Sequence, residues 1–84
     1  MNIFKYKLNY GLNQLRVRNA SQFLDFQVQD GQLVIWTLEP ADTDYSERWI
    51  LVCFTGEVPE LDTYDIYLGT VQHDGLVYHA FEKL

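Results

Sequence analysis

Alternation of apolar and polar residues is the feature that most constrains the fold of this chain. Between residues 3 and 10, four apolar or aromatic side chains at even positions alternate with Lys5, Lys7 and Asn9. Successive side chains of a β-strand point to opposite faces, so this period of two predicts a half-buried strand. Leu15–Arg18 and Phe23–Gln29 repeat the pattern. No segment shows the 3.6-residue period of an amphipathic helix, which favours an all-β chain.

Turn residues divide the chain into about seven short strands. Asp30-Gly31 and Asp74-Gly75 are typical of tight hairpin turns, and Gly69 inside a strand pattern suggests a bulge. The remaining predicted strands are Leu33–Leu38, Trp49–Thr55, Tyr64–Gln72 and Leu76–Glu82. We therefore predict one β domain spanning residues 1–84, a small antiparallel sandwich or barrel built from meander-like hairpins.

Two of these strands are apolar on both faces. The runs 33–38 and 49–54 lack the polar face that an antiparallel strand usually turns to water. Such strands must lie centrally in a sandwich or be covered by another chain, and a chain of 84 residues has few layers to cover them. We therefore expect a homo-oligomer.

Cysteine content and hydropathy indicate the compartment. Cys53 is the only cysteine, so no intrachain disulfide forms, and its place in an apolar run predicts a buried, inert thiol. The N-terminus lacks the apolar run of a signal peptide, and no segment approaches the ~18 apolar residues of a membrane span. These features favour a cytoplasmic protein that does not bind membranes.

Charge is distributed unevenly along the chain. The net charge is −6, which argues against direct nucleic-acid binding, but residues 1–18 hold four of the six basic residues and no acid. If the chain bends at Tyr10–Asn13 and the first two strands pair, Lys5, Lys7, Arg16 and Arg18 share one hairpin face. Like charges placed side by side repel one another, so we expect this repulsion to be compensated either by acids from elsewhere in the chain or by a bound anion such as phosphate. The candidate ligand-binding residues are these four cations with Arg48 and the aromatic residues Tyr6, Trp36 and Tyr45.

Catalytic and metal-binding motifs are missing from the sequence. His73 and His79 lie six residues apart without a cysteine or carboxylate at the spacing of a metal site. We expect no catalytic residue, metal or cofactor. The acidic segments Ala41–Ser46 and Glu57–Thr63 are either solvated loops or surfaces that imitate phosphates toward a protein partner.

Several short motifs run along nearly the whole chain in a fixed order. They are Ile3–Leu8, Val28–Leu33, Trp36–Leu38, Glu47-Arg48, Phe54–Gly56, Tyr67–Gln72 and His79–Glu82. In this pattern the chain resembles a family of small tailed-phage proteins, although Arg18–Ser21 lacks the Pro-Lys-Gly type of turn found in relatives. The resemblance implies an accessory, non-structural protein made inside an infected bacterium.

Two functions suit such a protein. In the first, an oligomer binds and sequesters a small anionic, nucleotide-derived immune signal without cleaving it, using cations for phosphates and aromatic rings for bases. In the second, the acidic loops bind a protein of a host defence or CRISPR complex and inhibit it. Either function is that of a binding protein and not of an enzyme.

Overall fold

The computed structural model describes residues 1–57 and 59–84, which form seven strands and no helix. The strands are β1 (Asn2–Lys7), β2 (Gly11–Arg18), β3 (Gln22–Gln29), β4 (Gln32–Glu39), β5 (Tyr45–Phe54), β6 (Ile66–His73) and β7 (Leu76–Lys83). The prediction of an all-β fold with seven short strands is confirmed. Val58, which falls within the predicted acidic segment 57–63, lies outside the described residues.

The strands form two antiparallel sheets. One sheet has three strands in the order β1-β4-β3, and the other has four in the order β2-β5-β7-β6. The two doubly apolar runs lie in β4 and β5, and both strands are flanked on each side, as predicted for central strands. The expected meander is wrong for most of the chain, since only the β3–β4 and β6–β7 hairpins join sequence neighbours within a sheet.

Both Asp-Gly pairs form the predicted two-residue turns. The backbone φ is +50° at Asp30 and +75° at Gly31, and it is +51° and +77° at Asp74 and Gly75. Two successive positive φ values are typical of the turn type whose twist matches that of the flanking strands. These turns set the registers of β3 with β4 and of β6 with β7.

The predicted pairing of the first two strands is wrong. β1 pairs with β4, β2 pairs with β5, and the two strands belong to different sheets. The reason is burial: Leu8 at 1% exposure and Val17 at 0% enter the same core from opposite sides. A hairpin within one sheet would cover that core from one side only. The single surface of four cations therefore does not exist.

Two strand boundaries also differ from the sequence prediction. Tyr45 and Ser46, predicted within an acidic loop, begin β5, where they pair with Arg18 and Val17. Tyr64, predicted to begin a strand, precedes β6, which starts at Ile66. Backbone pairing with the end of β2 extends β5 into a polar segment that carries no apolar alternation of its own.

The core is one cluster filled from both sheets. Its fully buried members include Phe26, Ile35, Ile50 and Ala80. The predicted bulge at Gly69 is confirmed, because the register between β6 and β7 shifts between Tyr67 and Gly69. A Cβ atom on Gly69 would lie 3.3 Å from Cβ of Phe26, so the bulge brings the β6 backbone directly onto this ring.

A buried ion pair links the inner faces of β5 and β7. Arg48 Nε and Nη2 donate to the two carboxylate oxygens of Glu82 at 2.5 and 2.6 Å. Nη1 of Arg48 donates to the Ser21 carbonyl at 2.6 Å, and the guanidinium lies 4.3 Å from the centroid of the Phe23 ring. The Glu82 side chain is only 4% exposed and that of Arg48 is 24% exposed, so the buried carboxylate depends on the guanidinium to compensate its charge.

We expect Glu82→Ala to lower the free energy of unfolding by about 3–5 kcal/mol, because it leaves the Arg48 guanidinium without its counter-charge. Replacing both partners, in Arg48→Met/Glu82→Leu, should restore most of the lost stability, since no unpaired charge remains. Urea unfolding followed by tryptophan fluorescence measures both variants. A double variant no more stable than Glu82→Ala would contradict this account.

Candidate functional site

A cleft opens on the outer face of the four-stranded sheet, where the β5–β6 connection crosses that face. Nζ of Lys83 donates to the Glu60 carbonyl and to Oδ2 of Asp65, both at 2.5 Å, and so ties this connection to β7. The cleft has a volume of about 730 Å³. Its lining residues are Tyr10, Gly11, Leu12, Leu51, Val52, Cys53, Glu57, Pro59, Glu60, Leu61, Asp62 and Lys83. We call this feature the acidic cleft.

The acidic cleft combines an apolar floor with a negative rim. Leu12 and Leu61 are 59% and 37% exposed, and Leu51 lies opposite Leu12 in the β2–β5 register. Lys83 is the one cation of the lining, and Asp65 neutralises it. Glu60 and Asp62 have no ion-pair partner among the described residues, so the rim carries a net negative charge. Such a lining suits an apolar group that carries a positive charge.

Tyr10 and Glu57 close one end of the acidic cleft. The Tyr10 hydroxyl donates to Oε2 of Glu57, and the Phe54 backbone N–H donates to Oε1 at 2.6 Å. These two hydrogen bonds lower the pKa of Glu57. The Tyr10 ring also stacks on Phe54 with centroids 4.4 Å apart. This end of the cleft is therefore held by packing as well as by hydrogen bonds.

Cys53 lies on the cleft wall and is 6% exposed, so its predicted burial is confirmed. Burial, followed by the negative charge of Glu57, raises the pKa of its thiol. A thiol with a raised pKa forms little thiolate at neutral pH and is a poor nucleophile.

A second feature, which we call the arginine cluster, consists of Arg16, Arg18 and Tyr45. The guanidinium carbons of Arg16 and Arg18 lie 5.0 and 4.2 Å from the centroid of the Tyr45 ring. Nη1 of Arg18 donates to the Thr43 carbonyl at 2.6 Å. Three of the predicted ligand-binding residues therefore lie together, although only two of them are cations.

A small pocket of about 170 Å³ adjoins the arginine cluster and brings Tyr6 to it. Its base is the buried Glu39, which accepts hydrogen bonds from the hydroxyls of Tyr6 and Thr37, each at 2.6 Å. Burial alone would raise the pKa of Glu39. The hydrogen bonds from Thr37 and Tyr6, a third one from the Arg18 backbone N–H and the charge of Arg18 together outweigh burial, so the pKa is lowered. Burial and the bond to Glu39 raise the pKa of Tyr6 to about 12. Glu39 therefore stays ionised, and the charge of Arg18 is one of the interactions that favour its ionised form.

The other predicted site residues lie elsewhere. Lys5 and Lys7 are on the outer face of the three-stranded sheet, where Lys5 pairs in register with Trp36 and donates to Gln29 Oε1 at 2.5 Å. Arg48 points toward the core and is bound by Glu82. The structure thus separates the N-terminal cations onto opposite faces of the sandwich.

His79 occupies a chain of hydrogen bonds on the outer face of the four-stranded sheet. Its Nε2 lies 2.7 Å from Thr55 Oγ1, and its Nδ1 lies 2.9 Å from Thr70 Oγ1. Both ring nitrogens therefore already have partners. Within residues 1–57 and 59–84 no group of three or more His, Cys, Asp or Glu side chains is placed to hold a metal ion. The same residues include no helix long and apolar enough to cross a membrane.

Comparison with known proteins places the chain in a family. The model of a domain of unknown function, DUF7352, matches residues 1–84. The chain belongs to this family. No curated protein and no solved structure matches the chain. The family's description assigns no activity, so functional inference for this DUF7352 member depends on its own geometry.

Sequence reasoning missed most of the acidic cleft. The acidic segment 57–63 is evident in the sequence, but nothing in the local pattern places residues 59–62 against Leu12 and Leu51 on two other strands. The one available signal is the presence of three apolar residues, Val58, Pro59 and Leu61, among the three acids of this segment. Apolar residues in a long connection indicate that it packs on the domain.

Asp65 makes the β5–β6 connection sensitive to acid. Hydrogen bonds from Lys83 and from the backbone N–H groups of Asp62 and Leu84 lower the pKa of Asp65 from 3.8 to about 2. Because the folded-state pKa is depressed, the stabilisation is present above the ordinary carboxyl pKa and is lost as the pH falls toward 2. We expect Asp65→Asn to have a lower melting temperature than wild type at pH 7. The two melting temperatures should converge near pH 2.

Thermal unfolding between pH 7 and pH 2 measures this convergence. Asp30→Asn is the matched control, because Asp30 is exposed, takes part in no ion pair among the described residues, and lies in an Asp-Gly turn where Asn tolerates the positive φ. If the difference in melting temperature between Asp65→Asn and wild type stays constant across this pH range, ionisation of Asp65 does not stabilise the fold as proposed.

Proposed function

We propose that the protein is a non-catalytic binding protein whose acidic cleft holds a basic, partly apolar segment of another protein. Two features of one cleft support this proposal. Leu12 and Leu61 are exposed in it, and Glu60 and Asp62 on its rim have no ion-pair partner among the described residues. Apolar contact supplies affinity, while the carboxylates select a cationic partner and accelerate its approach.

The resemblance to tailed-phage proteins supplies the biological setting of this proposal. In that setting the partner is a protein of a host defence or CRISPR complex, in the cytoplasm of the infected bacterium. A cationic segment that normally contacts nucleic acid is suited to an acidic cleft, because carboxylates occupy the place of phosphates. Binding there would inhibit the partner by competition.

Neutralising the rim tests this proposal. Glu60→Gln/Asp62→Asn should weaken binding of a labelled peptide of alternating leucine and arginine by about tenfold, since each exposed charge contributes up to about 1 kcal/mol. Fluorescence anisotropy measures the change, and pull-down from host lysate with the same variants shows whether a captured protein uses the same surface.

Asp42→Asn/Asp44→Asn is the matched control for this experiment. It removes the same amount of charge from the predicted acidic segment 41–46, and neither residue lines the cleft. Equal weakening by both double variants would mean that overall charge, not the acidic cleft, drives binding. Absence of peptide binding by the wild type would overturn the proposal.

A second candidate function is the capture of a small anionic, nucleotide-derived signal, and the arginine cluster is the observation that favours it. Tyr45 is 47% exposed and lies beside two guanidinium groups, which is a geometry that accommodates a phosphate next to a stacked base. Arg16 and Arg18 together supply the positive charge for the anion, although Glu47 lies opposite Arg16 and the charge of Arg18 also acts on Glu39. The adjoining pocket of about 170 Å³ leaves room for only part of a nucleotide.

Calorimetry with a cyclic dinucleotide, ADP-ribose and inorganic phosphate tests the second candidate. Arg16→Ala should weaken binding about tenfold or more, as expected for loss of a charge-assisted contact. Lys7→Ala should leave it unchanged, because Lys7 lies on the opposite face. If the two variants behave alike, or wild type does not bind these compounds, the arginine cluster is not an anion site.

A further inference from the structure

The outer face of the four-stranded sheet is self-complementary along the β2–β5 pair. Gln14 lies opposite Trp49 near the middle of this pair. Two residues away on one side, Arg16 lies opposite Glu47, and on the other side Leu12 lies opposite Leu51 at the acidic cleft. Arg18 lies at the same end as Arg16, so two arginines against Glu47 leave that end cationic, and the cationic end and the acidic cleft lie on opposite sides of Trp49.

Exposed apolar side chains lie at the middle of this face, next to the polar Gln14, and extend toward the acidic cleft. Trp49 is 39% exposed and Leu12 is 59% exposed, although both lie on strands whose inner faces are buried. Aromatic residues at the centre of a face, with charges toward its ends, are typical of protein interfaces. On the other side of the sandwich, by contrast, Lys5 and Lys7 are both exposed, so stacking two copies of that face would place like charges together.

We propose that two copies of the chain form a twofold-symmetric dimer through the outer face of the four-stranded sheet. The twofold axis passes near Trp49, so that Arg16 of each copy lies against the acidic cleft of its partner. Because the interface is isologous, both ends are satisfied at once and assembly stops at two. The inference shares the acidic cleft with the proposed function but requires no foreign partner.

The size of the face permits such a dimer. The domain measures 40 × 32 × 15 Å, so each broad face is large enough to bury the roughly 800 Å² per partner of a standard interface. The dimer also gives the exposed Trp49 and Leu12 a cover that the chain itself does not provide. In this arrangement the Arg16 side chain of one copy and a basic segment of another protein compete for the same cleft.

Charge exchange provides the test, using purified protein alone at about 0.15 M salt, where screening acts beyond roughly 8 Å. Sedimentation velocity should show a concentration-dependent dimer for wild type. Arg16→Glu and Glu60→Arg should each weaken dimerisation on the order of tenfold or more, because each juxtaposes like charges at both ends. Mixing the two variants should restore a heterodimer, since every acidic end then meets a basic end.

Two further variants complete the experiment. Arg16→Glu/Glu60→Arg in one chain should dimerise again, because the complementarity is restored with its signs exchanged. Lys7→Glu, on the opposite face, should dimerise as wild type does, and circular dichroism with thermal unfolding checks that each variant is folded. Wild type that stays monomeric at about 1 mM, or a mixture of reversed variants that fails to associate, would overturn the dimer.

Failure of the dimer and failure of the proposed function give different results. If the wild type is monomeric but still binds the leucine–arginine peptide, the acidic cleft stands as a partner site and only the self-association is ruled out. If the wild type dimerises but neither it nor the monomeric Arg16→Glu variant binds the peptide, the self-association stands and the partner site is ruled out.

Discussion

The two central strands pack their apolar faces into one thin core, and the rest of the structure depends on this contact. Ile35 of β4 and Ile50 of β5 are fully buried in the same cluster, in a domain only 15 Å thick. A domain of this size has few residues to spare for additional layers, so the outer faces of both sheets carry the remaining apolar side chains. The candidate surfaces are a direct consequence of that shortage.

Buried carboxylates hold the ends of this core. Glu82 is engaged by Arg48 through two hydrogen bonds, and Glu39 is engaged by Tyr6, Thr37 and the backbone of Arg18. Arg48 also donates to the Ser21 carbonyl beside β3, and the Arg18 N–H reaches Glu39 from β2, so each network joins the two sheets. Arg18 takes part in the second network through its backbone N–H, which places the charge of its guanidinium near the ionised Glu39.

The outer face of the four-stranded sheet carries both candidate sites, the arginine cluster and the acidic cleft. It has a cationic end at Arg16 and Arg18, the exposed Trp49 near its middle and an acidic cleft beneath the β5–β6 connection. The negative end suits a basic partner, the positive end suits an anion, and the two together suit a second copy. These three candidate functions require different charged residues, so a single charge reversal at Arg16 or Glu60 affects each of them differently.

Local pattern determined much of this protein. Period-two alternation indicated the strands, Asp30-Gly31 and Asp74-Gly75 located two hairpins, and the two doubly apolar runs identified the central strands. Each of these features depends on residues close together in the chain, whose geometry follows from backbone sterics and side-chain alternation.

Only the tertiary structure decided which strands pair, and with that the location of every charge. The alternation in β1 and β2 is satisfied equally well by a hairpin or by strands in opposite sheets, because both arrangements bury the same side chains. Covering the core from two sides selects the second arrangement, sends Lys5 and Arg16 to opposite faces, and brings residues 59–62 over Leu12 and Leu51. Long-range packing energy, which no local pattern encodes, made that choice.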